Sequence, residues 1–345
     1  MNNADVWNEF RVDTPEGQGL VRPRFQVELN VEYPTAASVL GFYEAVVEVL
    51  GHSLRFVGTG SGRWRKRTSK TDTYMPTWCA MPVLWPRNVY TLIMQDVDQG
   101  VGDVEIRIDY AARDVKPPNP EWFKKIVEAN FKPPVYLSKL SVAFPIDHPL
   151  VTSLKVGDWI RSLAALQDES FISGTAGYAI DLPLNPPLST QGPAARARTG
   201  ALLQAHPGLT CYSHLSFGLA LLQWDREYVI SKGQAHPRPY VTRANWLTIL
   251  NGSQVELLGG RELLQDQLER LPDVKMEQAG AALLLQAGPA PVLGNSNDLA
   301  SLSNYRAVAQ AIKPVTLQKR FFHPMLSQQF DDFGLDTWFN ALDKP

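Results

Sequence analysis

The stretch Phe25-Gln-Val-Glu-Leu-Asn-Val-Glu-Tyr33 alternates apolar and polar side chains without a break. Because successive side chains of a strand point to opposite faces, this period of two predicts a half-buried β-strand with one apolar face. Pro34-Thr35 then ends the strand and can begin a helix. Apolar residues recur at helical spacing over Val39–Leu50, and Gly51 is a typical helix stop. The opening of the chain therefore predicts a sheet with a helix packed on it.

The same two periods predict further elements along the chain. The turn-rich stretch Asp96–Asp103 separates two of the strands and predicts a hairpin. The other predicted strands are Tyr90–Met94, Val104–Tyr110, Val135–Phe144, Ala176–Leu182, Lys275–Ala279 and Ala282–Gln286. The predicted helices are Glu121–Phe131, a segment from Trp159 to Leu166, Gly192–Ala205, Trp246–Leu250, Arg261–Leu271 and Leu299–Ile312.

This order of elements predicts an α+β fold with antiparallel-rich sheets and packed helices. Two lobes are expected, a sheet-rich one over residues 1–146 and a mixed one over residues 147–345. A single continuous domain is the alternative, because cores can grow to roughly 250–300 residues before a chain divides.

The composition of the chain limits its function classes. Of 345 residues, 44% are hydrophobic and 20% charged, and the formal net charge is −2. Proteins that bind nucleic acid usually carry a basic excess, so nucleic acid is an unlikely partner. The first residues lack the pattern of a signal peptide, and no apolar run reaches the roughly 18 residues of a membrane span. We therefore expect a cytoplasmic protein without a membrane partner; its oligomeric state stays open.

Motifs for catalysis, cofactors and metals are missing from the sequence. Gly58–Gly62 lacks the Gly-Lys-Ser/Thr of a phosphate loop, and no Gly-x-Ser-x-Gly elbow occurs. A calcium loop beginning at Asp96 would need glycine and glutamate where Val101 and Arg107 stand. The six histidines and two cysteines have no metal-ligand spacing. We predict no catalytic, cofactor-binding or metal-binding residues, although a site built from distant residues stays open.

The segment Arg63–Lys70 combines Trp64 with five basic residues. In one interpretation, Trp64 stacks on a base while the cations hold phosphates, which would make the chain a nucleic-acid-binding or adaptor protein. In the other, the segment is a solvated loop. The second interpretation is favoured, because the rest of the chain supplies no matching basic stripe.

Three phrases in the second half, taken in order, resemble the type VI secretion immunity family, described as immunity proteins for nuclease effectors of the VRR type. The resemblance covers roughly residues 20 to 340. The phrases are Gly174–Pro183, then Asn245–Leu250 followed by Gly259-Gly260, and then Gln286–Gly294 leading to Tyr305–Pro314.

The resemblance implies that the chain binds and silences a toxin, and that it is not an enzyme. Since the family has no catalytic residues, none can be carried over to this chain. The glycines of these phrases have a structural interpretation: Gly174 and Gly177 permit close approach, and Gly259 and Gly260 permit unusual backbone angles. An enzyme of unrecognised motif and the nucleic-acid-binding protein remain as alternatives.

If the chain is an immunity protein, we expect it to occlude the active site of its cognate toxin. Acidic surface groups that mimic phosphates would suit a basic nuclease groove, with aromatic residues as anchors. The alternative for these groups is that they are ordinary solvated loops. The candidate partner-binding residues are Asp96, Asp98, Asp103, Asp331, Asp332, Asp336 and Trp338.

Overall fold

The computed structural model describes most of the chain, with gaps between the described ranges. These ranges are residues 7, 10–13, 19–32, 34–59, 63–81, 90–98, 100–110, 137–168, 171–181, 200–212, 241–317, 338 and 340–343. The predictions for Glu121–Phe131, for Asp331, Asp332 and Asp336, and for most of Gly192–Ala205 lie outside them.

Twelve strands in the described residues form one sheet. In chain order they are β1 Val12–Asp13, β2 Gly19–Glu32, β3 Phe56–Gly58, β4 Trp64–Lys66, β5 Tyr90–Gln95, β6 Glu105–Tyr110, β7 Leu137–Phe144, β8 Phe171–Asp181, β9 Thr210–Tyr212, β10 Leu247–Leu250, β11 Val274–Ala279 and β12 Ala282–Ala287. The main path runs β11-β12-β10-β8-β2-β7-β6-β5-β3-β4, with β1 beside β2 and β9 beside β8.

Eight named α-helices accompany the sheet in the described residues. They are α1 Ala36–Leu50, α2 Ser69–Asp72, α3 Tyr74–Ala80, α4 Pro149–Thr152, α5 Val156–Ala165, α6 Gly252–Leu257, α7 Arg261–Leu268 and α8 Ser303–Ala311. Two short 3₁₀ segments, Leu299–Leu302 and Lys313–Val315, flank α8. None of the described helices is long and apolar enough to cross a membrane.

The sheet is antiparallel at every step of its main path, and β9 pairs with β8 in parallel. The prediction of an α+β fold rich in antiparallel strands is confirmed. β2 pairs with β7 on one side and with β8 on the other, so the sheet continues across residue 147. The division into two lobes at that residue stays a prediction.

The first predicted strand and helix occur where the sequence places them. Thr35 caps α1 by accepting a hydrogen bond from the amide of Ser38, and the helix ends at Gly51. Phe25, Val27, Leu29 and Val31 form the fully buried face of β2, which packs with α1 in the main core. The prediction that β2 is half-buried is wrong, because its polar face is buried as well.

The helix predicted for Trp246–Leu250 is also wrong. Residues Leu247–Leu250 form β10, a fully buried strand between β8 and β12. A short apolar run has no polar face from which its period could be read, and its length suits a strand as well as a helical turn. Thr248 and Ile249 are β-branched, and such side chains pack well in a sheet.

Gly174 allows three strands to meet closely in the middle of the sheet. It lies opposite Leu29 of β2 and Ile249 of β10. A Cβ atom at Gly174 would stand 2.7 Å from Cδ2 of Leu29 and 2.8 Å from the carbonyl oxygen of Glu28. Since one of these neighbours is backbone, the sheet itself would have to move to admit a side chain.

We therefore expect Gly174→Ala to lower the free energy of unfolding by about 1–3 kcal/mol, the usual cost of overpacking a core. Urea denaturation followed by circular dichroism measures it. Gly252→Ala is the matched control, because a Cβ at Gly252 meets nothing within 4 Å. Equal stability of the two variants would contradict the close packing at Gly174.

Candidate functional site

The acidic turn, defined as residues 96–103, connects β5 to β6 and holds three of the predicted contact residues. Asp98 is exposed, whereas Asp96 and Asp103 are partly buried. Asp96 Oδ1 accepts a hydrogen bond of 3.3 Å from the amide of Val104, which closes the turn. Desolvation by burial raises the pKa of the Asp96 carboxyl above its ordinary value. Asp96 therefore has a structural role in shaping the turn.

Three arginines contact the acidic turn and offset part of its negative charge. Arg11 Nη2 donates to both carboxylate oxygens of Asp103, at 3.0 and 3.1 Å. Arg22, which also forms an ion pair with Asp13, lies 3.6 Å from Asp103. Arg24 is fully buried beneath the turn and donates to the carbonyl oxygen of Gly102 at 3.0 Å. The turn is thus a mixed-charge surface in which Asp98 is the most exposed carboxylate.

Trp338 lies in the interior and not on the surface. Its Nε1 donates a 2.8 Å hydrogen bond to the carbonyl oxygen of Leu209, just before β9. The guanidinium of Arg243 stands 4.4 Å from the centre of the Trp338 ring and donates to the carbonyl oxygens of Leu209 and Trp338. Burial lowers the pKa of Arg243 to about 9. Trp338 therefore connects its own segment to the sheet beside β9.

A buried polar face on the central strands is the feature that sequence reasoning missed. Neighbouring register positions place these side chains on the face of the sheet opposite to the apolar core. They are Arg24, Gln26, Glu28 and Asn30 on β2, Lys139 and Ser141 on β7, Asp109 on β6, and Ser173 and Thr175 on β8.

Opposite charges meet on this buried polar face. Lys139 Nζ forms an ion pair with Glu28, and both side chains are almost fully buried. On β6, Arg107 Nε donates to Asp109 Oδ2 at 2.9 Å, and Thr91 Oγ1 donates to Asp109 Oδ1 at 2.7 Å. Asp109 lies directly opposite Lys139 in the register. Buried charges are stable only when paired in this way, so the network fixes how β2, β7 and β6 align.

Metal-binding clusters of His, Cys, Asp or Glu do not occur within the described part of the chain. Two histidines there have local contacts. His148 caps α4 through its Nδ1, and Nδ1 of His206 lies 3.1 Å from the carbonyl oxygen of Gly294. Cys79 is a half-buried free thiol whose pKa burial raises to about 11, so the reactive thiolate is disfavoured.

The basic segment is not the solvated loop that we expected. Trp64 begins β4, which pairs with β3 and ends the described sheet on that side. The Trp64 ring lies against Gly58, where a Cβ would stand 3.2 Å from two of its ring carbons. Gly58, the first glycine of the Gly58–Gly62 stretch, therefore makes room for the indole of Trp64.

The chain resembles known proteins both in sequence and in structure. The family described as "Type VI immunity for VRR-NUC" matches residues 229–340. No curated protein sequence matches the chain. Among solved structures, the Pseudomonas aeruginosa T6SS protein PA0821 is similar, with 16% identity and a TM-score of 0.67 over 99% of this chain and 90% of that one. At this identity the structural likeness shows the fold, and the family match confirms the predicted resemblance over residues 229–340.

The ion pair between Glu28 and Lys139 generates a prediction about stability. Lys139→Met leaves the Glu28 carboxylate buried without its ammonium partner, and breaking such a pair costs about 3–5 kcal/mol. Glu28→Gln together with Lys139→Met removes both charges, so this double variant should be more stable than Lys139→Met alone. Urea unfolding at pH 7 of the wild type, both single variants and the double variant measures the coupling. Purely additive effects would contradict a direct interaction.

The pH dependence of stability provides a second check on Lys139. Desolvation lowers the pKa of Lys139 from 10.5 to about 8, against the opposing effect of Glu28. Between about pH 8 and pH 10.5, Lys139 is protonated in the unfolded chain and largely neutral in the folded chain. Stability from this group therefore rises with pH across that window. The wild type should gain stability relative to Lys139→Met between pH 8 and pH 10 in matched denaturant titrations, and a constant difference would contradict the lowered pKa.

Proposed function

We propose that this protein binds a cognate toxin and inhibits it, because its residues 229–340 match the family described as type VI immunity for VRR-NUC. The match is the observation that carries the proposal. The description of the family names the VRR-NUC class, so the proposed target is a nuclease. We propose no catalytic role for the chain, and we place it in the cytoplasm, where a nuclease toxin would meet its nucleic acid.

The proposed mechanism is occlusion of the toxin's active site by the surface of the immunity protein. A nuclease binds phosphates through a positively charged groove, so an inhibitor that covers the groove needs exposed negative charge. The acidic turn supplies a carboxylate for this at Asp98, which is exposed in the connection between β5 and β6. Asp103 is already paired with Arg11 and contributes less. The same role is proposed, from the sequence alone, for Asp331, Asp332 and Asp336.

The first test is protection of living cells. Cells that express the toxin encoded beside this chain should survive when the chain is co-expressed, and the two proteins should co-purify as a stable complex. A catalytically inactive toxin should bind equally well, since occlusion needs no turnover. Cell death despite co-expression, together with no complex, would refute the proposed function.

The contribution of the acidic turn can be measured in the purified complex. Asp98→Lys should weaken toxin affinity about tenfold, mainly by slowing association, because exposed charges act on the rate of encounter. Asp266→Lys is the matched control, since Asp266 is also an exposed aspartate, on α7, and the change in net charge is the same. Biolayer interferometry at two salt concentrations gives both rates. If Asp98→Lys and Asp266→Lys bind like the wild type, the acidic turn lies outside the interface.

A further inference from the structure

The basic edge, defined as Arg55, Arg63, Arg65, Lys66 and Lys70, surrounds strand β4. All five side chains are exposed. Residues 55–81 contain a single acidic residue, Asp72, which Arg67 engages through a 2.7 Å hydrogen bond from its Nε. Within the described residues, none of the five cations of the basic edge forms an ion pair with a carboxylate. The edge is therefore a concentrated positive surface on a chain whose net charge is −2.

The backbone of β4 is held rigidly from both ends. At its start, the ring of Trp64 packs on Gly58. Just after its end, Arg67 donates to Asp72 and to the carbonyl oxygens of Gly51 and Leu54. A strand fixed in this way loses little conformational entropy when a partner binds to it.

The outer side of β4 has backbone groups available for a further strand. The amide of Arg67 donates to the carbonyl oxygen of Arg55, and Arg65 lies opposite Val57. In an antiparallel pair, hydrogen-bonded positions alternate with positions whose N–H and C=O groups point the other way. The backbone groups of Trp64 and Lys66 therefore point away from β3, at the end of the described sheet.

We propose that this edge binds an extended acidic segment of the toxin, which adds a strand beside β4. The inference rests on the proposed function and assigns a surface to it. The outward N–H and C=O groups of Trp64 and Lys66 would bond to the segment's backbone, as in other strand additions. The surrounding cations would pair with its carboxylates. Arginine and tryptophan are enriched at protein interfaces and their hot spots. Lysine alone would be enough to keep a sheet edge from aggregating, so the arginines beside Trp64 favour a binding role for this edge.

The basic edge and the acidic turn lie at the same end of the sheet. The amide of Arg55 donates to the carbonyl oxygen of Gln95, which directly precedes the turn, and Lys66 lies opposite Phe56 in the register. Two strand spacings, roughly 10 Å, separate β5 from β4. A toxin surface that combines a basic groove with an acidic border would therefore meet both charged regions at once.

The test uses the purified full-length chain and its toxin. The double variant Arg65→Glu with Lys66→Glu should raise the Kd for the toxin at least about tenfold and reduce its dependence on salt. Lys155→Glu with Arg270→Glu is the matched control, since both residues are exposed and the change in charge is identical. Denaturation curves confirm that each variant is folded.

Hydrogen exchange tests the added strand without any substitution. In the complex, the amides of Trp64 and Lys66 should exchange more slowly, while the amide of Arg67, already bonded within the sheet, should change little. Unchanged exchange at Trp64 and Lys66, or equal weakening by the control pair, would overturn the proposal while leaving the immunity function in place. Binding of DNA or RNA to the basic edge at low salt, with no effect of the double variant on toxin affinity, would also overturn it. No binding of the wild-type chain to the toxin would instead refute the proposed function.

Discussion

Strand β2 is buried on both faces, and this constraint shapes the rest of the structure. Its apolar face packs with α1 in the core, while its polar face carries Glu28 against Lys139. An ionised carboxylate inside a protein is stable only beside a counter-charge, so β7 must lie next to β2 in one register. A slip of one residue would turn the apolar side chains toward the charged face of the sheet and would separate Glu28 from Lys139. The central pairing is thus specified twice, by packing and by charge.

Charges at the surface are only partly paired, unlike those on the buried face of β2. At the acidic turn, Arg11, which precedes β1, and Arg22 of β2 pair with Asp103. Asp98 therefore remains as the exposed negative group of the turn. None of the five cations of the basic edge is paired with a carboxylate within the described residues, and the nearby Asp72 is already paired with Arg67. Exposed charges cost little while they are solvated, so the fold tolerates both charged regions.

Periodicity predicted the elements that have one apolar and one polar face, as with α1 and the hairpin of β5 and β6. It did not distinguish strand from helix for Leu247–Leu250, where every side chain is buried. Alternation alone does not show whether a second layer covers the polar face of β2, so the sequence predicts that this face meets solvent. Pairing of Glu28 with Lys139 depends on strand register across more than a hundred residues, which no local pattern contains. Trp338, which the sequence predicts as a partner contact, is buried, and the guanidinium of Arg243 lies over its ring.

The family match and the charged surfaces occupy different parts of the molecule. Residues 229–340 contain β10, β11 and β12, which build one side of the sheet, together with α6, α7 and α8. The acidic turn and the basic edge belong to β3–β6, outside the matched residues and on the other side of β2. The matched residues therefore build one side of the sheet, and the charged surfaces proposed for binding lie at the other side, near β4 and β5.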